Sequence, residues 1–208
     1  MDAAIANIDW ERRNEAEKSL GAWVKTYMCG GLALNDEPSE YGYEVLGQMD
    51  EALTAHKNYM ICMGRGFGKS SYCICAALYA LATGLQKYVM IISNNTSSAS
   101  SLLADIWRVI EVPDTAFSHD YPTVCLPFHN SHGSYRRRQL YRGRSTEIQK
   151  NAGSIVFAKL EKSDGVPYPT SGSIVTCRGI TSGIRGAKHG TMRPSLVLLD
   201  DLQDFESA

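Results

Sequence analysis

The segment Gly64-Arg65-Gly66-Phe67-Gly68-Lys69-Ser70-Ser71 limits what this chain can fold into more than any other stretch. It follows a short apolar run, Tyr59-Met60-Ile61-Cys62-Met63, read as a buried strand. It precedes a helix-compatible stretch from Lys69 to Thr83, with Gly84 as the stop. A glycine-rich turn between strand and helix suits a chain of phosphates. Its backbone amides form a concave set of donors, and its glycines allow close approach and unusual dihedrals. The helix adds the partial positive charge of its N-terminus. Lys69 brings a full charge to the β- and γ-phosphates, and Ser70 brings a hydroxyl to Mg2+. Gly64, Arg65, Gly66, Phe67, Gly68 and Ser71 complete the expected nucleotide-binding set. The spacing departs by one residue from G-x-x-x-x-G-K-[ST], because Met63 stands where the first glycine belongs. A glycine-rich turn with a solvated lysine is the plain alternative.

The pattern around this loop predicts an α/β fold with a mostly parallel sheet flanked by helices. Tyr88 to Ser93 reads as a second strand, Asn94 and Asn95 as a turn, and Ser97 to Val112 as a helix ended by Pro113. Residues 113–152 read as irregular. Ile155 to Leu160 and Ile174 to Cys177 read as strands, and Arg178 to Gly190 as a glycine-rich loop. Residues 1–57 are expected to form a helical N-terminal segment, with helices within Asn7–Cys29 and Tyr43–Ala55, leading into a core over 58–208. No apolar run approaches the roughly 18–20 residues of a membrane span, so no membrane partner is expected. The six cysteines form no C-x-x-C pair and are read as reduced and mostly buried.

A second signal is Leu196-Val197-Leu198-Leu199-Asp200-Asp201. Four apolar residues bury a strand, and the first carboxylate emerges at its C-terminal end, where a phosphate loop also opens. Asp200 is then placed to hold Mg2+ together with Ser70. Asp201 is placed to orient or deprotonate a water that attacks the γ-phosphate.

Together, the phosphate loop with Arg65, the strand ending in Ser93, and Ile184-Arg185-Gly186 running to Arg193-Pro194-Ser195-Leu196-Val197-Leu198-Leu199-Asp200-Asp201 resemble the ATPase domain of tailed-bacteriophage large terminases, over roughly residues 40–204. The resemblance implies a P-loop NTPase of the additional-strand class. It implies ATP hydrolysis with Mg2+, driving double-stranded DNA into a viral procapsid. The implied partners are DNA, the portal protein, the small terminase subunit and further copies in a ring, commonly a pentamer. The implied location is the host cell cytoplasm, at the procapsid portal. Sheets of this class place one more strand between the acidic strand and the phosphate-loop strand. The sequence is therefore expected to be a fragment, with the nuclease domain absent. Asp201 stands where the family often has Glu. Another P-loop translocase or helicase-like ATPase, or a nucleotide-gated DNA-binding module with little turnover, are the alternative readings.

The resemblance also assigns outlying residues. Arg65 is a candidate γ-phosphate sensor, or a tie from the loop to a nearby acid. Arg185 is the candidate finger toward a neighbouring subunit's ATP, in competition with Arg178 and Arg193. Gln48, upstream of the loop, is a candidate reader of the adenine edge, since an amide both donates and accepts. The net charge is −1, so DNA contact must come from a local patch. Tyr135 to Arg144, with five Arg and two Tyr, is the candidate patch, with a ring contact or a solvated loop as the alternatives.

Overall fold

The computed structural model describes residues 1–55, 57–64, 66–131, 139–182 and 187–202. Along the chain come α1 (Asp2–Ala6), α2 (Trp10–Ala16), α3 (Leu20–Tyr27), α4 (Glu40–Ala55), α5 (Lys69–Ala82), β1 (Tyr88–Ser93) and α6 (Thr96–Glu111). Then follow α7 (Ala116–Asp120), α8 (Pro122–His129), β2 (Leu140–Tyr141), β3 (Arg144–Ser145), β4 (Gln149–Asn151), β5 (Ser154–Val156), β6 (Ile174–Gly179) and β7 (Leu196–Asp200). The fold is α/β. A five-stranded mixed sheet has the order β4-β5-β6-β1-β7, and β2 and β3 form a separate hairpin.

Three neighbouring strands, β6, β1 and β7, are parallel. Ile91 stands opposite Cys177 on one side and Leu198 on the other. β1 is central and all six of its residues are buried, as expected for a strand covered on both faces. β5 runs antiparallel to both β4 and β6, so the sheet is less uniformly parallel than its sequence suggests.

Alternation divides the sheet's side chains between two faces. Val89, Ile91, Val175, Cys177, Leu196 and Leu198 belong to the large core shared with the helices. Tyr88, Met90, Ile92, Val156 and Ile174 form a smaller cluster on the opposite face. α5 is buried from Tyr72 through Ala82. Its alanines keep it thin, so it fits between the sheet and the N-terminal helices. α6 is amphipathic, burying Ala99, Leu102, Leu103, Ile106, Trp107, Val109 and Ile110. Asn95 proves to be its cap, accepting from the Ser98 amide at 2.8 Å.

Three expectations are corrected. First, Tyr59–Met63 forms no strand: Met60 is 91% exposed, while Ile61 and Met63 only lean on the core. A strand needs a neighbour for its amides and carbonyls, and β7 ends the sheet order with a bare outer edge among the described residues. The segment is instead anchored at its start, where Lys57 and the Tyr59 hydroxyl both bond the Glu51 carboxylate of α4. Second, β7 is not buried throughout, because Val197 and Leu199 project from the less covered face at 48% and 58% exposure. Third, residues 113–152 are not irregular. They hold α7, α8 and three short strands, started by a capping box between Thr115 and Ser118 and by Pro122 at a first helical position.

The N-terminal helices join the same core as α5. Trp23 meets Tyr27, Tyr79 and Phe117 edge-on, each at 5.6 Å between ring centroids. Its Nε1 donates to the Tyr121 hydroxyl at 3.0 Å. Beside this cluster sits Asp120, fully buried. Its carboxylate accepts from Arg12 Nε at 2.7 Å, Arg12 Nη2 at 2.8 Å, the Tyr27 hydroxyl at 2.8 Å and the Asp9 amide at 3.2 Å.

Gly179 ends β6 directly against the start of α6. A Cβ there would lie 2.5 Å from the Thr96 amide nitrogen and 2.6 Å from the Asn95 carbonyl carbon. Both neighbours are backbone, so Gly179→Ala is expected to lower stability by ~1–3 kcal/mol. A thermal melt checks this, and an unchanged midpoint would mean that the junction gives way freely.

Candidate functional site

The glycine-rich loop leads into α5, which begins at Lys69. Gly66 and Gly68 have φ of +86° and +79°, a region costly for any residue with a Cβ. Gly68 occupies the N-cap of α5 and offers no capping side chain, and no acid sits in the first turn. The leading amides of the helix are thus left for an outside acceptor. Gly64, Gly66, Phe67 and Gly68 lie in the loop, and Lys69, Ser70 and Ser71 open the helix. Arg65 and Arg185 lie outside the described residues.

The strand and the loop meet through one bond. The Ser70 hydroxyl donates to Asp200 Oδ2 at 2.8 Å, across 130 positions of sequence. Asp200, at the carboxyl end of β7, is only 5% exposed. Burial raises its pKa above the usual carboxylate range. The Ser70 bond opposes the rise, the nearby Asp201 charge adds to it, and Lys69 counters it. Lys69 Nζ donates to the Met63 carbonyl at 3.3 Å, across the mouth of the loop.

Asp201 follows at φ +44° and is exposed. A left-handed aspartate is sparsely populated, and such strain clusters where a side chain must be aimed. Ser70 and Asp200 are a hydroxyl and a carboxylate in contact, a hard-oxygen pair of the kind that Mg2+ takes alongside phosphate oxygens. Among the described residues no three His, Cys, Asp or Glu side chains gather into a metal cluster. A cation here would therefore depend on the bound phosphates for further ligands.

Other expected residues fall elsewhere. Gln48 is half-buried on α4, a helix that packs against α3 and α5. Tyr41, a neighbour of the loop and not one of those expected residues, packs edge-on to Phe67 at 6.3 Å, with its hydroxyl donating to the Cys62 carbonyl at 3.3 Å. Arg193 precedes β7, at the opposite end of the strand from Asp200. Arg178 is the penultimate residue of β6, with β1 lying between it and β7. Of the basic cluster, Tyr135 to Arg138 lie outside the described residues. Arg142 pairs with Asp2 at 3.1 Å, and Arg144 pairs with Glu161, so both are engaged within the chain.

No family model, curated protein or solved structure matches the chain. Among the described residues, no helix is long and apolar enough to cross a membrane.

The cysteines supply a probe of the loop. Cys62 is exposed and lies two residues before Gly64, whereas Cys73, Cys75, Cys125 and Cys177 are buried. Burial pushes the Cys73 and Cys177 thiols up to about 12, which keeps them protonated and inert at neutral pH. A maleimide is expected to label Cys62 first, and any ligand that covers the glycine-rich loop to slow that labelling. Mass spectrometry of timed samples checks both points, and labelling of a buried thiol ahead of Cys62 would overturn the order of reactivity.

Proposed function

We propose that this chain hydrolyses ATP at the Lys69–Ser70–Asp200 site, and that this hydrolysis powers translocation of double-stranded DNA into a viral procapsid. In this reading the fold is a P-loop NTPase of the additional-strand class and the chain is the ATPase part of a large terminase. The hydrogen bond between Ser70 and Asp200 carries the reading. It unites the two sequence signals at the same carboxyl edge of the parallel strands, where open α/β sheets bind ligands.

The residues divide the work. The loop amides and the uncapped start of α5 bind phosphate oxygens. Lys69 offsets charge on the β- and γ-phosphates and holds them in line. Ser70 and Asp200 would hold Mg2+, whose chemistry is to neutralise charge developing on the bridging phosphate oxygens. Asp201, exposed beside Asp200, accepts a proton from the attacking water. Arg65 and Arg185 keep their expected parts as phosphate sensor and trans-acting finger. DNA, portal, small terminase subunit and a ring of copies are the partners this reading entails.

The test is steady-state phosphate release from ATP, with and without duplex DNA and procapsid. Turnover that rises with both is expected, with loss in Lys69→Ala of at least ~10²-fold. Tight ATP binding with no release under any of these conditions would replace the motor with a nucleotide-gated module.

A further inference from the structure

A cleft of about 440 Å³ opens at the carboxyl end of β6, between the β4–β5 turn, the first turn of α6 and the segment carrying Lys188 and His189. Among the described residues its lining contains Arg178, Lys188 and His189 and no carboxylate. That sign is local, because acids outnumber Lys and Arg in the whole chain, 22 to 21. Thr96 and Ser100 bring the start of the sixteen-residue α6 to the cleft, with the partial positive charge of a helix N-terminus. The close approach at Gly179 sets that helix end against β6.

An independent observation points to a ligand. Thr176 lines the cleft and is 5% exposed, and its Oγ1 has no hydrogen-bond partner. Buried hydroxyls are nearly always paired, since an unmet donor costs stability. The strand register sets Thr176 beside Ser154 and Met90 on the less covered face of the sheet. Ser154 is already committed to Asn151. The Thr176 hydroxyl therefore has a proton to give to an acceptor arriving from the cleft.

We propose that this cleft is a second phosphate site. Arg178 and Lys188 supply charge to a phosphoryl oxyanion, and the Thr176 hydroxyl donates to one of its oxygens. The site shares the carboxyl edge of the sheet with Ser70 and Asp200 but is separated from them by β1. Two strand spacings amount to roughly 10 Å. It does not depend on nucleotide hydrolysis at the first site. A phosphodiester of a nucleic-acid backbone and a free phosphate ion present the same oxygens, so both are used as probes.

The experiment titrates inorganic phosphate into the full chain by calorimetry, in a Lys69→Ala background that weakens the phosphate loop. A fluorescent 20-bp duplex is followed by anisotropy in parallel. Saturable phosphate binding is expected. It should weaken at least tenfold in Thr176→Val and in Lys188→Gln, and recover in Thr176→Ser. Thr176→Val exchanges a partnerless hydroxyl for a methyl of the same shape, so its melting temperature should hold or rise. Lys188 is exposed, and Lys188→Gln decides the matter alone if the valine variant fails to fold. A duplex that displaces phosphate, with the same variant sensitivity, identifies the backbone as the source. A duplex that does not displace it identifies the free ion. A titration that never saturates, or one indifferent to both substitutions, overturns the proposal.

Discussion

Asp200→Asn will abolish ATP turnover and leave the melting temperature unchanged or higher. The two halves of this result have one cause. Asp200 is buried, and burial raises its pKa, so the ionised form is less comfortable in the folded chain than in the unfolded one. The sign follows from linkage. A carboxyl raised on folding stabilises the fold while protonated, and that contribution is lost as pH rises from the ordinary carboxylate range through the raised value. At neutral pH the charge is therefore a net cost to stability, and asparagine removes it while still accepting from Ser70. In the proposed function turnover depends on that charge, because an amide is a poor partner for Mg2+. A loss of at least ~10²-fold is expected. Phosphate release and a thermal melt on the same preparation are the measurements. Substantial turnover in the variant would remove Asp200 from the chemistry, and a fall in melting temperature would make its role architectural.

Asp120→Ala will cost more stability than any single change at Lys69, Ser70 or Asp200. Its carboxylate receives four donors from two elements distant in sequence. Removing it strands the Tyr27 hydroxyl and the Asp9 amide, and leaves the Arg12 guanidinium with only its 3.4 Å ion pair to Asp9. Asp120 raises the pKa of Arg12 above its ordinary value through their hydrogen bonds, and burial followed by the same carboxylate raises that of Tyr27. Breaking a buried pair costs ~3–5 kcal/mol. Arg12 keeps 37% of its side chain in water, which places the expected loss near about 3 kcal/mol. For a chain of this size that corresponds to a drop of roughly 6–12 °C in melting temperature. Asp120→Asn keeps an acceptor and should lose less. A variant that melts within a degree or two of the parent would show the network to be energetically neutral.

The sequence carried those parts of the molecule whose structure is written locally. β1, α5 and α6 fall within a residue or so of their expected limits, because each has a clean apolar period and a stop. The union of Ser70 with Asp200 was also legible, since each residue ends or begins an element with a known direction. What was hidden depends on neighbours far along the chain. Nothing near Asp120 announces that Arg12 and Tyr27 will surround it. Thr176 looks like any strand threonine until its lack of a partner is seen. Tyr59–Met63 has a strand's composition, but composition cannot supply the adjoining strand that would fix it in the sheet. The cap at Asn95 was within reach, because Asn followed by a serine- and alanine-rich helix is an ordinary start signal.

Among the described residues, the outer rim of β7 offers a row of amides and carbonyls with no neighbouring strand, beside Val197 and Leu199. Such a rim is a template on which another chain can extend the hydrogen-bond ladder, and proteins usually blunt it with lysine, proline or a bulge. Here the strand reads Leu-Val-Leu-Leu-Asp, with none of these and a single charge at its tip. Concentrated stocks should therefore clump through this rim, and a lysine at Val197 should keep them dispersed.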